Sequence, residues 1–260
     1  MGEKLQMIIV LGRTGMLGSM VDRIIESEHI ATDRSFFDAK SPDKIYFNGR
    51  VINCIGVIKP HCGDVENAIR VNSLFPYMLP QESIQIATDC VFSGKKGNYV
   101  ESDIHDATDV YGKTKSLGEA PHLNNLRCSI IGPETNNHLS LLDWFLNLKD
   151  EYANGFTNHF WNGITTYHFA KICQGIINDK IELPYLQHIV PADVVTKSEL
   201  LKIIAEVYKK DIIIRDVEAD EDVDRTLSTN NPSLNNLLWQ SAGYSEPPTI
   251  KQMIQELAEL

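Results

Sequence analysis

The sequence predicts an α/β fold in which a parallel sheet carries helices on both faces and a small lobe follows at the C-terminal end. Three observations carry this. Apolar runs rich in β-branched residues alternate with segments of helical period through the first half of the chain. A turn with regularly spaced glycines joins the first such run to the first helical segment. At 260 residues the chain suits one compact unit, or one large lobe and one small.

The elements follow in order. Met7 to Leu11 reads as a strand and Leu17 to Ile25 as a helix, and a second strand should end near Asp33. The stretch between Arg34 and Lys44 is too short and polar for a long crossover helix, so the second crossover is trimmed. Val51 to Ile55 reads as a buried strand, Val65 to Leu79 as a helix and Ile84 to Ala87 as a strand. Tyr111 to Glu119 reads as a helix and Leu126 to Ile131 as a strand.

Beyond Pro133 the rhythm loosens. A helix is predicted at Leu139 to Leu148, an aromatic- and Asn-rich loop at Tyr152 to Asn162, and a helix at Thr166 to Ile177. Ser198 is placed as the cap of an amphipathic helix running to Lys209, with Glu199 in its first turn. Pro247 and Pro248 precede a last helix that ends at Leu260. Residues 1–150 are assigned to the nucleotide-binding lobe, to which 163–180 return. Residues 181–260, with part of 151–162, are assigned to a substrate lobe.

Gly12, Gly15 and Gly18 form GxxGxxG after a strand and at a helix start. Glycines there permit a tight turn and close backbone approach, so a dinucleotide pyrophosphate can rest on free N–H groups of the helix. The setting makes the sheet Rossmann-type. Asp33, at the end of the second strand, suits a ribose hydroxyl, while Arg34 and Arg13 suit a 2′-phosphate. Two cations against one acid favour NADP(H); NAD(H) stays open, since either arginine also reads as a solvated surface residue.

Tyr111 and Lys115 form YxxxK, preceded by Thr88 just past the Ile84 to Ala87 strand. Residues four apart on a helix share a face, so the Lys115 ammonium is expected beneath the Tyr111 phenol, lowering a pKa that is otherwise near 10. Thr88 offers a hydroxyl to orient a substrate oxygen. YxxxK alone is weak; in this order with the glycine turn it is not.

These segments, with Val51 to Gly56 (VINCIG), Ala87 to Phe92 (ATDCVF) and Ser93 to Asp103 (SGKKGNYVESD), resemble the extended short-chain dehydrogenases/reductases. Within them the chain is similar to the dTDP-4-dehydrorhamnose reductase branch of sugar-nucleotide 4-reductases. The resemblance implies a catalytic trio of Thr88, Tyr111 and Lys115. It implies cofactor contacts from Gly12, Arg13, Thr14, Gly15, Met16, Leu17 and Gly18, from Asp33 and Arg34, from Cys54, Ile55 and Gly56, and from Asn72, Tyr111 and Lys115. Asn72 also reads simply as a hydrogen-bonding residue at a helix end, and Glu119 as a salt-bridge partner. Cys90 stands where sugar-nucleotide dehydratases of this family carry an acid, which argues against elimination.

The implied activity is NADPH-dependent reduction of the 4-keto group of a UDP- or dTDP-linked 6-deoxyhexose. Two alternatives stay open: a nucleotide-sugar 4-epimerase, and a non-catalytic NADP-binding regulatory subunit like the β subunit of methionine adenosyltransferase. Lys and Arg number 24 against 35 Asp and Glu, a formal charge of −11 without a basic cluster, which argues against nucleic acid and anionic membranes as partners. Five cysteines without CxxC spacing read as free thiols, and eight scattered histidines suggest no metal site. The N-terminus lacks the order of a signal peptide, so a cytoplasmic location is expected. A homodimer is left open.

Overall fold

A computed structural model describes residues 7–34, 38–40, 47, 49–134 and 140–260. β1 (Ile8–Leu11) leads into α1 (Met16–Ile24), and β2 (His29–Thr32) and β3 (Arg50–Asn53) flank β1 in parallel register. After β3 come α2 (Val65–Ala68), β4 (Ile84–Thr88), α3 (Val110–Leu117), β5 (Asn124–Cys128) and the short β6 (Ile130–Ile131). Then follow α4 (Leu141–Asn147), β7 (Tyr152–Phe156), β8 (His159–Trp161), β9 (Ile164–Thr165), α5 (Thr166–Asn178) and β10 (Leu186–His188). The chain ends through β11 (Val195–Thr196), α6 (Lys197–Val207), β12 (Ile213–Val217), β13 (Val223–Asp224), α7 (Pro232–Ser241) and α8 (Ile250–Ala258).

Six strands form one parallel sheet in the order β10-β5-β4-β3-β1-β2. Strand order reverses between β1 and β3, and in open α/β sheets the ligand crevice lies at such a switch point, beyond the carboxyl ends of the strands. Alternation along β1 decides which face each residue fills. Ile8 and Val10 pack into the core that also holds Leu17, Val21, Ile172 and Ile176 of α1 and α5. Leu11 points the other way, with Val51, Val71 and Phe75. Each large apolar side chain buried this way contributes roughly 1.5–3 kcal/mol.

The 65–79 stretch is not one regular helix. Asp64 caps α2 by accepting from Asn67 N at 3.0 Å, and a π-helical turn, Ile69–Leu74, and a 3-10 turn, Phe75–Met78, follow. Pro76 has no N–H for the carbonyl of Asn72, so the α-ladder cannot run through this point.

The Tyr152 to Asn162 region, expected as a loop, instead forms β7 and β8. Along β7 the small residues Ala153 and Gly155 point inward and Tyr152 and Phe156 outward, the inverse of the usual apolar alternation. The reason is α6: a Cβ on Gly155 would lie 2.6 Å from the Ser198 Cα. The cap of α6 also moves. Thr196, not Ser198, accepts from Glu199 N, and Glu199 returns to the Thr196 N–H in a capping box. Ser198 donates instead to Asp216, and the helix ends at Val207 rather than Lys209.

Residues 181–260 do not form a lobe apart from the sheet, because β10 is its edge strand. A separate small layer comes from β11-β8-β13 and β12-β7, with α6 against it. The predicted start of the helix at Leu139, and most of the trimmed crossover after Arg34, lie outside the described residues.

Candidate functional site

The glycine turn closes the carboxyl end of β1. Gly12 has φ +86, a left-handed conformation that side chains resist, and its N–H and that of Arg13 donate to Thr32 O at 3.2 and 3.1 Å. Gly18 packs against the turn itself, since a Cβ there would lie 2.0 Å from Gly12 O. Gly15 is different. A Cβ there would meet only Gly12 O, at 3.4 Å, and would stand in the crevice at the N-cap of α1.

No side chain caps α1, so its first-turn N–H groups, those of Met16 and Leu17, suit a phosphate. A cradle that a Cβ would obstruct, ending on free helix donors, fits a dinucleotide pyrophosphate.

The crevice is lined by Gly12, Thr14 and Gly15, by Asp33 and Arg34, and by Cys54, Ile55 and Gly56. Arg13 does not line it. Sequence reasoning missed Lys40, which lines the same crevice near Arg34, and Asn67 of α2. Neither carries a motif; their positions follow from how the chain after β2 and the first turn of α2 fold over β1 and β3. Leu17 and Gly18 are buried behind the turn.

Thr88 ends β4 and opens a 3-10 turn, Asp89–Val91, its hydroxyl accepting from Cys90 N at 3.2 Å. The same hydroxyl lies beside the Tyr111 phenol and favours its ionised form. Tyr111 occupies the first turn of α3, where Asp109 caps the helix by accepting from Gly112 N at 2.8 Å. Gly112 lets this end approach the 3-10 turn, because a Cβ there would lie 2.4 Å from both Cys90 O and Ala107 Cβ.

Lys115, one turn on, is buried and donates to Ile86 O at 2.9 Å. Burial lowers its pKa to about 8, against the opposing pull of Glu119 and Cys54.

The expectation that Lys115 lowers the Tyr111 phenol is corrected. Burial and the nearby Cys90 and Asp89 push that phenol above its ordinary value, opposed by the Thr88 hydroxyl. The ammonium is engaged by the Ile86 carbonyl. Tyr111 is therefore held as a neutral phenol.

Asn72 is buried and spends its amide inside the protein: Oδ1 accepts from Val57 N at 2.8 Å, and Nδ2 donates to Val57 O at 3.0 Å and Thr114 Oγ1 at 3.2 Å. It ties the chain after β3 to α3, the helix that carries Tyr111 and Lys115. Glu119 pairs with the buried Arg127, at 2.5 Å from Nη2 and 3.2 Å from Nε. Arg127 also meets His188 Nε2 at 2.8 Å and His105 Nε2 at 2.7 Å. This network braces the C-terminal end of α3 against β5 and β10.

Two further cations act on the acid beside Thr88. Burial raises the Asp89 carboxyl, opposed by Arg225 and Lys197. Burial likewise lowers Lys197, opposed by Asp89 and Cys90. Arg225 Nε donates to Phe92 O at 2.8 Å, and Lys197 Nζ lies 5.5 Å from the Trp161 ring. Burial and Asp89 push the Cys90 thiol up to about 12. All five cysteines are free. Among the described residues no group of three or more His, Cys, Asp and Glu side chains is placed to hold a metal ion, and no helix is long and apolar enough to cross a membrane.

Topology and glycine turn define the class: a Rossmann-type α/β fold. Among solved structures it is similar to a dTDP-4-dehydrorhamnose reductase from Clostridium acetobutylicum, at 20% identity over 97% of this chain and 98% of that one, TM-score 0.78. It is also similar to the Bacillus anthracis dTDP-4-dehydrorhamnose reductase solved with NADP, at 16% identity over 98% and 99% of the two chains, TM-score 0.80. A UDP-glucuronic acid 4-epimerase from Bacillus cereus, solved with NAD, aligns at 13% identity over 97% and 98%, TM-score 0.70. Neither a family model nor a curated protein matches the chain. At these identities the likeness establishes the fold.

Proposed function

We propose that the protein uses NADPH to reduce the 4-keto group of a nucleotide-linked 6-deoxyhexose. The observation that carries this reading is the placement of the Thr88 hydroxyl, at the carboxyl end of β4, beside the Tyr111 phenol, with Lys115 one helical turn on. The similarity in fold to a reductase solved with NADP supports it.

The α1 N-terminus at Gly15, Met16 and Leu17 holds the pyrophosphate, Asp33 the adenosine ribose, and Arg34 with Lys40 the 2′-phosphate. Bound NADPH supplies the hydride that adds to the sugar carbonyl carbon. Thr88 donates to the carbonyl oxygen and fixes its position. Tyr111, kept protonated by burial, gives its proton to that oxygen as negative charge develops there. Lys115 holds the nicotinamide ribose. Lys197 and Arg225 receive the substrate diphosphate, whose charge offsets theirs. Elimination of water is disfavoured because the Cys90 thiol is too weak an acid to take part.

The test is NADPH oxidation with a panel of UDP- and dTDP-4-keto-6-deoxysugars, with and without a preceding 3,5-epimerase. Native mass spectrometry should find little bound nicotinamide, and NADPH deuterated at the transferred position should leave one deuterium at sugar C4. Unlabelled product, or isomerised sugar made without NADPH consumption, overturns the reading and favours an epimerase. Cofactor binding without turnover of any sugar favours a regulatory subunit.

A further inference from the structure

Between the 3-10 turn that Thr88 opens and the start of α3, His105 bonds both α3 and the buried cation behind it. His105 Nδ1 lies 2.7 Å from Ser116 Oγ of α3, and Nε2 lies 2.7 Å from Arg127 Nη2 of β5. A guanidinium carries donors only, so Nε2 must accept and holds no proton. Nδ1 therefore carries the single ring proton and donates it to Ser116. The same argument fixes His188, whose Nε2 accepts from Arg127 Nη1 at 2.8 Å while Nδ1 donates to Ser228 O at 2.7 Å.

Phe92, which closes the Thr88 turn, meets His105 edge-on at 5.5 Å and Arg127 across its face at 5.1 Å. The imidazole is thus packed on the turn as well as on the helix. Its side chain is 24% exposed, against 0% for Arg127 and 6% for Glu119, so of the three it is the one a solvent proton reaches. Burial, with Arg127, holds the ring below its ordinary value against Glu119 and Asp106. A proton on Nε2 would remove the acceptor for Arg127 and set a second positive charge beside it. Glu119 Oε2, 3.7 Å from Nε2, would then be drawn from the Arg127 ion pair that braces the end of α3.

We infer that His105 is a positioning residue for the Tyr111–Lys115 pair: its neutral ring clamps α3 to β5 through Ser116 and Arg127, and protonation of the ring loosens the clamp. His105 does not line the crevice and acts through the helix. The consequence for turnover rests on the reductase reading above; the clamp itself does not.

The experiment measures amide hydrogen exchange across Val110–Leu117 and kcat at saturating NADPH, from neutral pH down to the onset of acid unfolding, with melting temperature as the check on folding. Wild type should lose kcat and α3 protection together below about pH 6.5. His105→Gln keeps a carbonyl for Arg127 and an amide N–H for Ser116 but takes up no proton. It should match wild-type kcat near neutrality and, compared at equal pH, stay protected and active where wild type has declined. His105→Ala should lose kcat at every pH by up to roughly a hundredfold, the cost of reacting groups displaced by an ångström, with a much smaller change in NADPH affinity. Coincident acid profiles of wild type and His105→Gln overturn the inference, as does a wild-type profile that stays flat down to unfolding. Wild-type kcat in His105→Ala, or failure of His105→Gln to fold although both bonds are kept, overturns it as well. Protection of α3 that follows His105 in a protein reducing no sugar overturns the reductase reading and leaves the clamp standing.

Discussion

At the residue scale, two side chains one turn apart are tuned in different ways by the same burial. Tyr111 is pushed up and stays neutral, while Lys115 is pulled down to about 8. Tyr111→Phe should leave NADPH affinity nearly unchanged and cut turnover by roughly two to four orders of magnitude, the usual worth of a positioned acid. Wild-type turnover in that variant would remove Tyr111 from the mechanism. Lys115 carries its charge below about pH 8 and loses it above, so kcat/KM should fall on the alkaline side with a midpoint near that value. Lys115→Arg, which cannot deprotonate in this range, should move the alkaline limb upward even as it lowers the rate. A pH–rate profile measures both.

The elements bring these residues together through close contacts that leave no room for a side chain. Gly112 sits between Tyr111 and the 3-10 turn of Thr88, with Cys90 O where a Cβ would go. Gly112→Ala should therefore separate α3 from β4, costing about 1–3 kcal/mol of stability and a larger share of turnover than of cofactor affinity. Thermal melting and steady-state kinetics read the two effects, and a variant with wild-type kinetics would show that the approach is not needed. The YxxxK spacing and the strand-end threonine were legible because their order along the chain is itself the signal. Lys40 and Asn67 were not, because each reaches the crevice through chain folding rather than through a local pattern.

For the whole molecule, buried histidines set the acid limit of stability. Burial and Arg127 lower His188 to about 4, opposed by Glu101. Burial and Lys171 lower His168 to about 3. Both stay neutral in the folded state while the unfolded chain takes up protons near pH 6.5. As pH falls from about 6.5 toward 4 the unfolded state binds more protons, so stability must fall over that window. Melting temperature should decline there, and His188→Gln should flatten the slope. A slope unchanged by that substitution would shift the cause to other groups.

The sequence by itself determined the parallel α/β sheet, the turn at Gly12–Gly18 and the order of Thr88, Tyr111 and Lys115, because each rests on local periodicity or spacing. It misread β7 as a loop, because α6 packs so close that only small residues fit on its inner face and the apolar alternation is inverted. It also placed Lys115 under the Tyr111 phenol, whereas the fold turns that ammonium to the Ile86 carbonyl. The direction of a pKa, the partner of an ammonium and the lining of a crevice were decided by tertiary structure alone. Each depends on burial and on groups distant in sequence, and neither is encoded in the spacing of neighbours.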